Sequence, residues 1–240
     1  MARRKAGHNH SMWQVLSTIA GVVAAVALAV HLVMRFREAS RRRREAPDKL
    51  YDPIKPMLRD WRYEGDAAAG FPQLVGYYDG LPVRIFAVVD TLAVRKLPVL
   101  WLLVTIPEPV PVKATFDLMM RPAGPTTFSN FDLLPAVIKT PPDFPLGAVV
   151  RTDDPNHLLP AFVIEPHLGL FEDARAKELL ISPKGMRLVW QIAEADRARY
   201  GVFRQAEFGD VVLQPERVRA LLDRLIAIRT SIVAWSTQTA

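Results

Sequence analysis

Apolar residues dominate from Met12 to Met34, where the 23 residues MWQVLSTIAGVVAAVALAVHLVM contain no Asp, Glu, Lys or Arg. At a helical rise of about 1.5 Å per residue they reach about 34 Å, enough for a hydrocarbon core of about 30 Å, and so predict a transmembrane helix. A cleaved signal peptide is the rival reading, because Arg3, Arg4 and Lys5 precede the run. The length of the run, and its ending in Arg35-Phe36-Arg37 where a small-residue cleavage site is expected, favour an uncleaved anchor. Ser17, Gly21, Ala25 and Ala29 recur every fourth residue and form a small-residue face on which two such helices can pack.

Beyond Asp48 the pattern becomes that of a folded domain. Tyr51, Ile54, Met57, Leu58 and Trp61 recur at helical spacing, while Pro53 and Pro56 confine the helix to a short amphipathic lead-in. From Pro72 the period shortens to two. Residues 73–78 and 82–90 flank Asp79-Gly80, a dipeptide that supplies the positive φ of a two-residue hairpin turn. Leu97 to Ile106 is almost wholly apolar and predicts a strand covered on both faces. From Val112 the alternation puts Phe116, Leu118 and Met120 on a buried side, with Thr115, Asp117 and Met119 on an open one. Further strands are predicted over 135–140 and 148–152.

Asp154-Pro155 offers a capping carboxylate before a proline at the first helical position, opening a series of short helical pieces that runs to about residue 175. Residues 177–181 and 187–193 flank Ser182-Pro183-Lys184-Gly185, a second hairpin. Pro215 opens the clearest helix, with Val218, Leu221, Leu222, Leu225, Ile228, Ile232 and Trp235 along one stripe. The expected fold class is α+β: an N-terminal single transmembrane helix followed by a mainly antiparallel sheet domain, with about six to eight strands and packed helices. The predicted organisation is a basic tail over 1–11, the span over 12–34, a basic juxtamembrane linker over 35–47 and a soluble domain over 48–240.

Charge sharpens this division. The chain carries 31 Lys+Arg against 25 Asp+Glu, a formal net charge of +6. Residues 1–45 hold nine of the basic and two of the acidic side chains, a net of +7, which leaves 22 basic and 23 acidic, a net of −1, for the remaining 195. A domain so close to neutral has no surplus field to steer it on to a phosphate backbone, so a nucleic-acid partner is not expected. Arg35, Arg37, Arg41, Arg42, Arg43 and Arg44 outnumber the basic groups before the span. The positive-inside rule therefore predicts a single pass through the inner (cytoplasmic) membrane with the C-terminal domain in the cytoplasm. The same arginines have a second reading as a patch for anionic lipid headgroups, at about 1 kcal/mol each beside a charged surface. The chain has no cysteine, which excludes thiol chemistry and fits a reducing compartment or a disulfide-free periplasmic domain equally.

Candidate chemistry is sparse. The phosphate-binding, dinucleotide, serine-hydrolase and zinc-protease motifs are all missing from the sequence. Asp153, Asp154 and His157 form the best polar cluster, since adjacent carboxylates beside an imidazole can hold a divalent metal or share a proton. The alternative is that Asp154 caps the helix that follows while Asp153 and His157 decorate its first turn. Asp117 and Asp132, each preceded by phenylalanine, are a second candidate pair of carboxylates. The sequence assigns no catalytic residue, no metal ligand and no cofactor.

The layout of one span, a basic linker and a compact domain resembles that of many small bacterial membrane proteins, a likeness that carries no catalytic residues with it. The leading expectation is a membrane-anchored, non-enzymatic binding or scaffolding domain on the cytoplasmic face. Its expected partners are membrane lipid and another membrane protein, or a second copy through a self-associating helix. The alternative is a membrane-tethered enzyme or small-ligand binder using carboxylates near Asp153, Asp154 and His157, or Asp117 and Asp132. A concave pocket gathering such groups with strongly perturbed pKa values is what separates the two. A periplasmic envelope-assembly domain is a third reading and needs the opposite topology.

Overall fold

A computed structural model describes Leu28, Val30, His31, Met34 and residues 49–65, 71–92, 97–197, 200, 206 and 208–239. The chain divides into two compact units, Met1–Glu45 and Ala46–Ala240. In the first unit Leu28, Val30, His31 and Met34 are helical. The rest of the expected span, its small-residue face, and Arg35, Arg37 and Arg41 to Arg44 lie outside the described residues. Among the described residues no helix is both long and apolar enough to cross a membrane.

The second unit is α+β, and its alternating segments pair into one sheet. The strands are β1 (Arg59–Glu64), β2 (Gln73–Tyr78), β3 (Leu81–Asp90), β4 (Val99–Ile106), β5 (Phe116–Met120), β6 (Ala136–Ile138), β7 (Ala148–Thr152), β8 (Ala176–Ser182) and β9 (Gly185–Glu194). Their order is β1-β2-β3-β4-β9-β8-β5-β7-β6, with every neighbouring pair antiparallel. Asp79 and Gly80, at φ 48° and 78°, make the expected two-residue turn between β2 and β3. Strand β1 departs from the expected lead-in helix. Pro53 and Pro56 hold residues 52–57 in a 3₁₀ helix that ends where the Leu58 N–H donates to the Lys55 carbonyl. The chain then extends, so Tyr51 and Ile54 are buried while Trp61, 43 % exposed, belongs to the strand.

One sheet face carries Leu100, Leu102, Val104 and Ile106 of β4 and Leu188 and Trp190 of β9. Across it lie two helices, the short α1 (Ala161–Ile164), which runs on into a 3₁₀ helix over 165–172, and the long α2 (Pro215–Thr239). The stripe read from the sequence is what α2 buries: Val218, Leu221, Leu222, Leu225, Ile228 and Ile232 are all in the core. Each such side chain contributes about 1.5–3 kcal/mol when fully buried, and this face is the main source of stability.

The opposite face is covered by a loop. Both β5 and β6 run antiparallel to β7, which lies between them, so the two point the same way. Residues 121–135 must therefore travel the length of the sheet to reach the start of β6. This crossing segment lays Phe128 and Phe131 over Trp101, Leu103, Met119 and Val189, with the rings of Trp101 and Phe128 5.4 Å apart. All five residues of β5 are buried: Phe116, Leu118 and Met120 in the helix-covered core, and Asp117 and Met119, expected on an open face, on the loop-covered side.

Candidate functional site

The loop-covered face carries charge at its centre. Asp117 on β5 pairs with Leu180 on β8, and Leu180 with Arg187 on β9; one step along, Met119 pairs with Glu178 and Glu178 with Val189. Side chains opposite one another share a face, so Asp117, Glu178 and Arg187 converge from three adjacent strands. A register shift between Ala176 and Glu178 makes Lys177 a bulged residue, which keeps Ala176 on the helix-covered side although Glu178 lies on the other. The Lys177 ammonium donates to the carbonyls of Met120 and Arg121 at the end of β5.

Glu178 is fully buried. One carboxylate oxygen accepts from Nε and Nη2 of Arg187 at 3.2 and 2.8 Å, and the other accepts from the Ser129 hydroxyl. Ser129 in turn accepts the Phe131 N–H at 3.1 Å, so Glu178 anchors the crossing segment to the sheet.

Asp117 is only 2 % exposed, and among the described residues its Oδ1 has no hydrogen-bond partner. Burial and the neighbouring Glu178 charge, opposed by Arg187, push its carboxyl up to about 8. Burial also raises Glu178, against the pull of Arg187 and the Ser129 hydrogen bond. Of the two carboxyls Asp117 is the one without a donor among the described residues, and at neutral pH it holds the proton.

Asp117 lines a pocket of about 430 Å³. The sheet supplies Asp117, Leu180 and Arg187, the crossing segment supplies Phe128, Asn130 and Leu134, and the β8–β9 turn supplies Pro183 and Lys184. Thr115, Asp153 and Ser182 complete it. Asp153 accepts from the Thr115 N–H at 2.7 Å and from its hydroxyl at 2.8 Å. Burial alone would raise the Asp153 carboxyl, but these hydrogen bonds outweigh it and hold the group below its ordinary value. The pocket therefore joins an ionised carboxylate, a protonated carboxyl, and apolar surface from Phe128, Leu134 and Leu180.

The expected cluster of Asp153, Asp154 and His157 is split. Asp154 caps the 3₁₀ turn Pro155–His157 by accepting the Asn156 N–H at 2.9 Å, and its other oxygen lies 2.6 Å from His157 Nδ1. The His157 hydrogen bond, then that of Asn156, lowers the Asp154 carboxyl. Asp153 instead turns toward Thr115 and joins Asp117 in the pocket. Among the described residues no group of three or more His, Asp or Glu is placed to hold a metal ion. Asp117 and Asp132 are not brought together as a carboxylate pair: Asp132 is exposed and offers its carbonyl oxygen to Arg151, whereas Asp117 is buried beside the Glu178 charge. Glu178 and Arg187 escaped the sequence reading; the available signal was a glutamate flanked by Ala176, Leu179 and Leu180 in a strand otherwise built for burial. No family model, no curated protein and no solved structure matches this chain.

Proposed function

We propose that this chain is a single-pass membrane-anchored binding protein whose Ala46–Ala240 unit takes up a small polar ligand in the pocket beside Asp117. The reading of an anchor and a cytoplasmic domain rests on the uncharged 12–34 run and the arginines that follow it. Ligand binding is favoured over a purely scaffolding role by one observation, the buried carboxyl of Asp117, whose Oδ1 has no hydrogen-bond partner among the described residues, at a pocket of ligand size. Leaving such a group unsatisfied costs about 1–3 kcal/mol, a cost that a scaffold has no reason to retain.

The test is a thermal-shift screen of the full chain in detergent against a chemically diverse set of small molecules, with Leu180→Trp as a variant that fills the pocket. A ligand at about a hundred times its Kd adds about 2.7 kcal/mol, a rise of about 5–10 °C in Tm for a domain of this size. Compounds should stabilise the parent chain and leave Leu180→Trp unmoved. A screen in which nothing stabilises the parent, or in which both proteins respond alike, overturns the proposal.

A further inference from the structure

We infer that the pocket is built for a small organic cation, whose ammonium or amidinium head lodges against Asp117 while its apolar body lies against Phe128, Leu134 and Leu180. The inference rests on the ligand-binding reading above and names the class of ligand.

The charged groups around Asp117 come from every strand packed beside it. Arg187 on β9 is bound to Glu178 through two of its nitrogens. Arg151 stands opposite Asp117 on β7, but its Nη1 donates to the carbonyls of Leu134 at 2.8 Å and Asp132 at 3.4 Å, with its guanidinium carbon 5.4 Å from the centre of the Phe131 ring. Neither arginine donates to Asp117 among the described residues, so the carboxyl lacks the cationic donor that its position on the sheet would ordinarily secure. Glu178 on β8 adds negative charge behind it, and Asp153 adds an ionised carboxylate at the pocket. Lys184 is the opposing cation, placed on the exposed β8–β9 turn.

An anionic ligand entering beside Asp117 would meet the ionised Asp153, and a neutral one would leave that charge unanswered. A cationic head supplies both the missing donors and the missing charge. The lack of a three-ligand cluster among the described residues argues for an organic cation rather than a metal ion. Planar, donor-rich heads fit best, because the two oxygens of a carboxylate accept them side by side.

Binding is then an exchange. The protonated Asp117 carboxyl loses its proton to solvent, the carboxylate that remains accepts N–H donors from the ligand, and one positive charge leaves as another arrives. Below about pH 8 each ligand bound releases one proton, and the apparent Kd falls about tenfold for each unit the pH rises; above about pH 8 both effects fade.

The probes are benzamidine, benzamide and benzoate, which share one shape and carry a positive, zero and negative charge. They are titrated by calorimetry into the full chain in detergent micelles at pH 6.5 and 9, in two buffers that differ in ionisation heat. Benzamidine is expected to bind at least tenfold more tightly than the other two, releasing close to one proton at pH 6.5 and almost none at pH 9. In Asp117→Asn, checked for folding by its melting curve, the proton release and the pH dependence should vanish. Tighter binding of benzamide or benzoate overturns the inference and leaves the ligand-binding reading standing. Benzamidine binding without proton release, or with an unchanged pH profile in Asp117→Asn, also overturns it. Failure of all three probes alongside a silent thermal-shift screen overturns both.

Discussion

Arg151 stands directly opposite Asp117 in the β5–β7 ladder, yet its guanidinium donates to the carbonyl oxygens of Leu134 and Asp132, and among the described residues no cation donates to the Asp117 carboxyl. The arginine ties the end of the crossing segment to the sheet, and the aspartate is left to hold a proton. That division of roles gives the domain a dependence on pH.

A carboxyl held at about 8 in the fold and at 3.8 when free keeps its proton in the folded chain after the unfolded chain has lost it. Its contribution to stability is complete below the free value and is lost as the pH rises through about 8. Raising the pH from 6 to 9 should therefore lower the melting temperature of the parent chain. Asp117→Asn keeps the shape and removes the titration; it should flatten this slope and be the more stable protein at pH 9 by about 1–3 kcal/mol. Parallel melting profiles for the two proteins would contradict this.

Glu178 and Arg187 form the buried ion pair of the sheet, the glutamate fully buried and the arginine 19 % exposed. Arg187→Met strands a buried charge and should cost about 3–5 kcal/mol in urea unfolding. The double change Glu178→Leu with Arg187→Met removes both charges and should cost less than the sum of the two single changes, a non-additivity of at least 1 kcal/mol. Additive costs would mean that the pair is not coupled.

His167 gives the acid side of the profile. It is 8 % exposed, its Nε2 lies 2.9 Å from the Ser231 hydroxyl of α2, and Nδ1 has no partner among the described residues. Burial, with the Arg224 charge adding to it, lowers its affinity for a proton. The unfolded chain takes up that proton first, so stability is present above about pH 6.5 and lost as the pH falls below it. His167→Gln should shrink the loss of Tm between pH 7 and 5.5 relative to the parent chain.

Gly185 closes the β8–β9 turn at φ 142°, and a Cβ there would sit 2.4 Å from the Ile106 carbonyl oxygen and 3.1 Å from Pro107 Cα. Both obstacles are backbone atoms at the end of the neighbouring strand β4 and cannot rotate away. Gly185→Ala should cost about 3 kcal/mol or more, whereas Lys184→Ala beside it should shift the unfolding midpoint little.

The proposed topology is checked by fusions at the C-terminus. A green fluorescent protein fused after Ala240 should fluoresce and alkaline phosphatase at the same point should be inactive, as the arginines after the span require. The reverse result would place the domain outside and revive the envelope-assembly reading.

Local signals carried much of this fold. The Asp79-Gly80 turn, the almost wholly apolar β4 and the stripe of α2 were legible because each is written within one short window of sequence. Strand β1 was not, because Trp61 happens to continue a helical spacing that Pro53 and Pro56 end early. The burial of Asp117 was hidden for a different reason. Its cover is the crossing segment, whose path depends on β7 lying between β5 and β6, and that is a property of strand order rather than of any window of sequence. The convergence of Asp117 with Glu178 and Arg187 is likewise set by register between strands far apart in the chain.

The central place of the β8–β9 hairpin also governs when the domain can be completed. Strands β4 and β5 are successive in the chain but separated in the sheet by that hairpin, which is the last part of the sheet to be synthesised. Until it arrives, the four-strand and three-strand portions each keep an unpaired edge, and no local contact can join them. Glu178 and Arg187 enter on the same hairpin, so the insertion that unites the two half-sheets also delivers the ion pair beside Asp117. The pocket beside Asp117 is therefore completed only when this hairpin inserts, and a nascent chain truncated before residue 176 holds Asp117 and Asp153 but has neither a continuous sheet nor the Glu178–Arg187 pair.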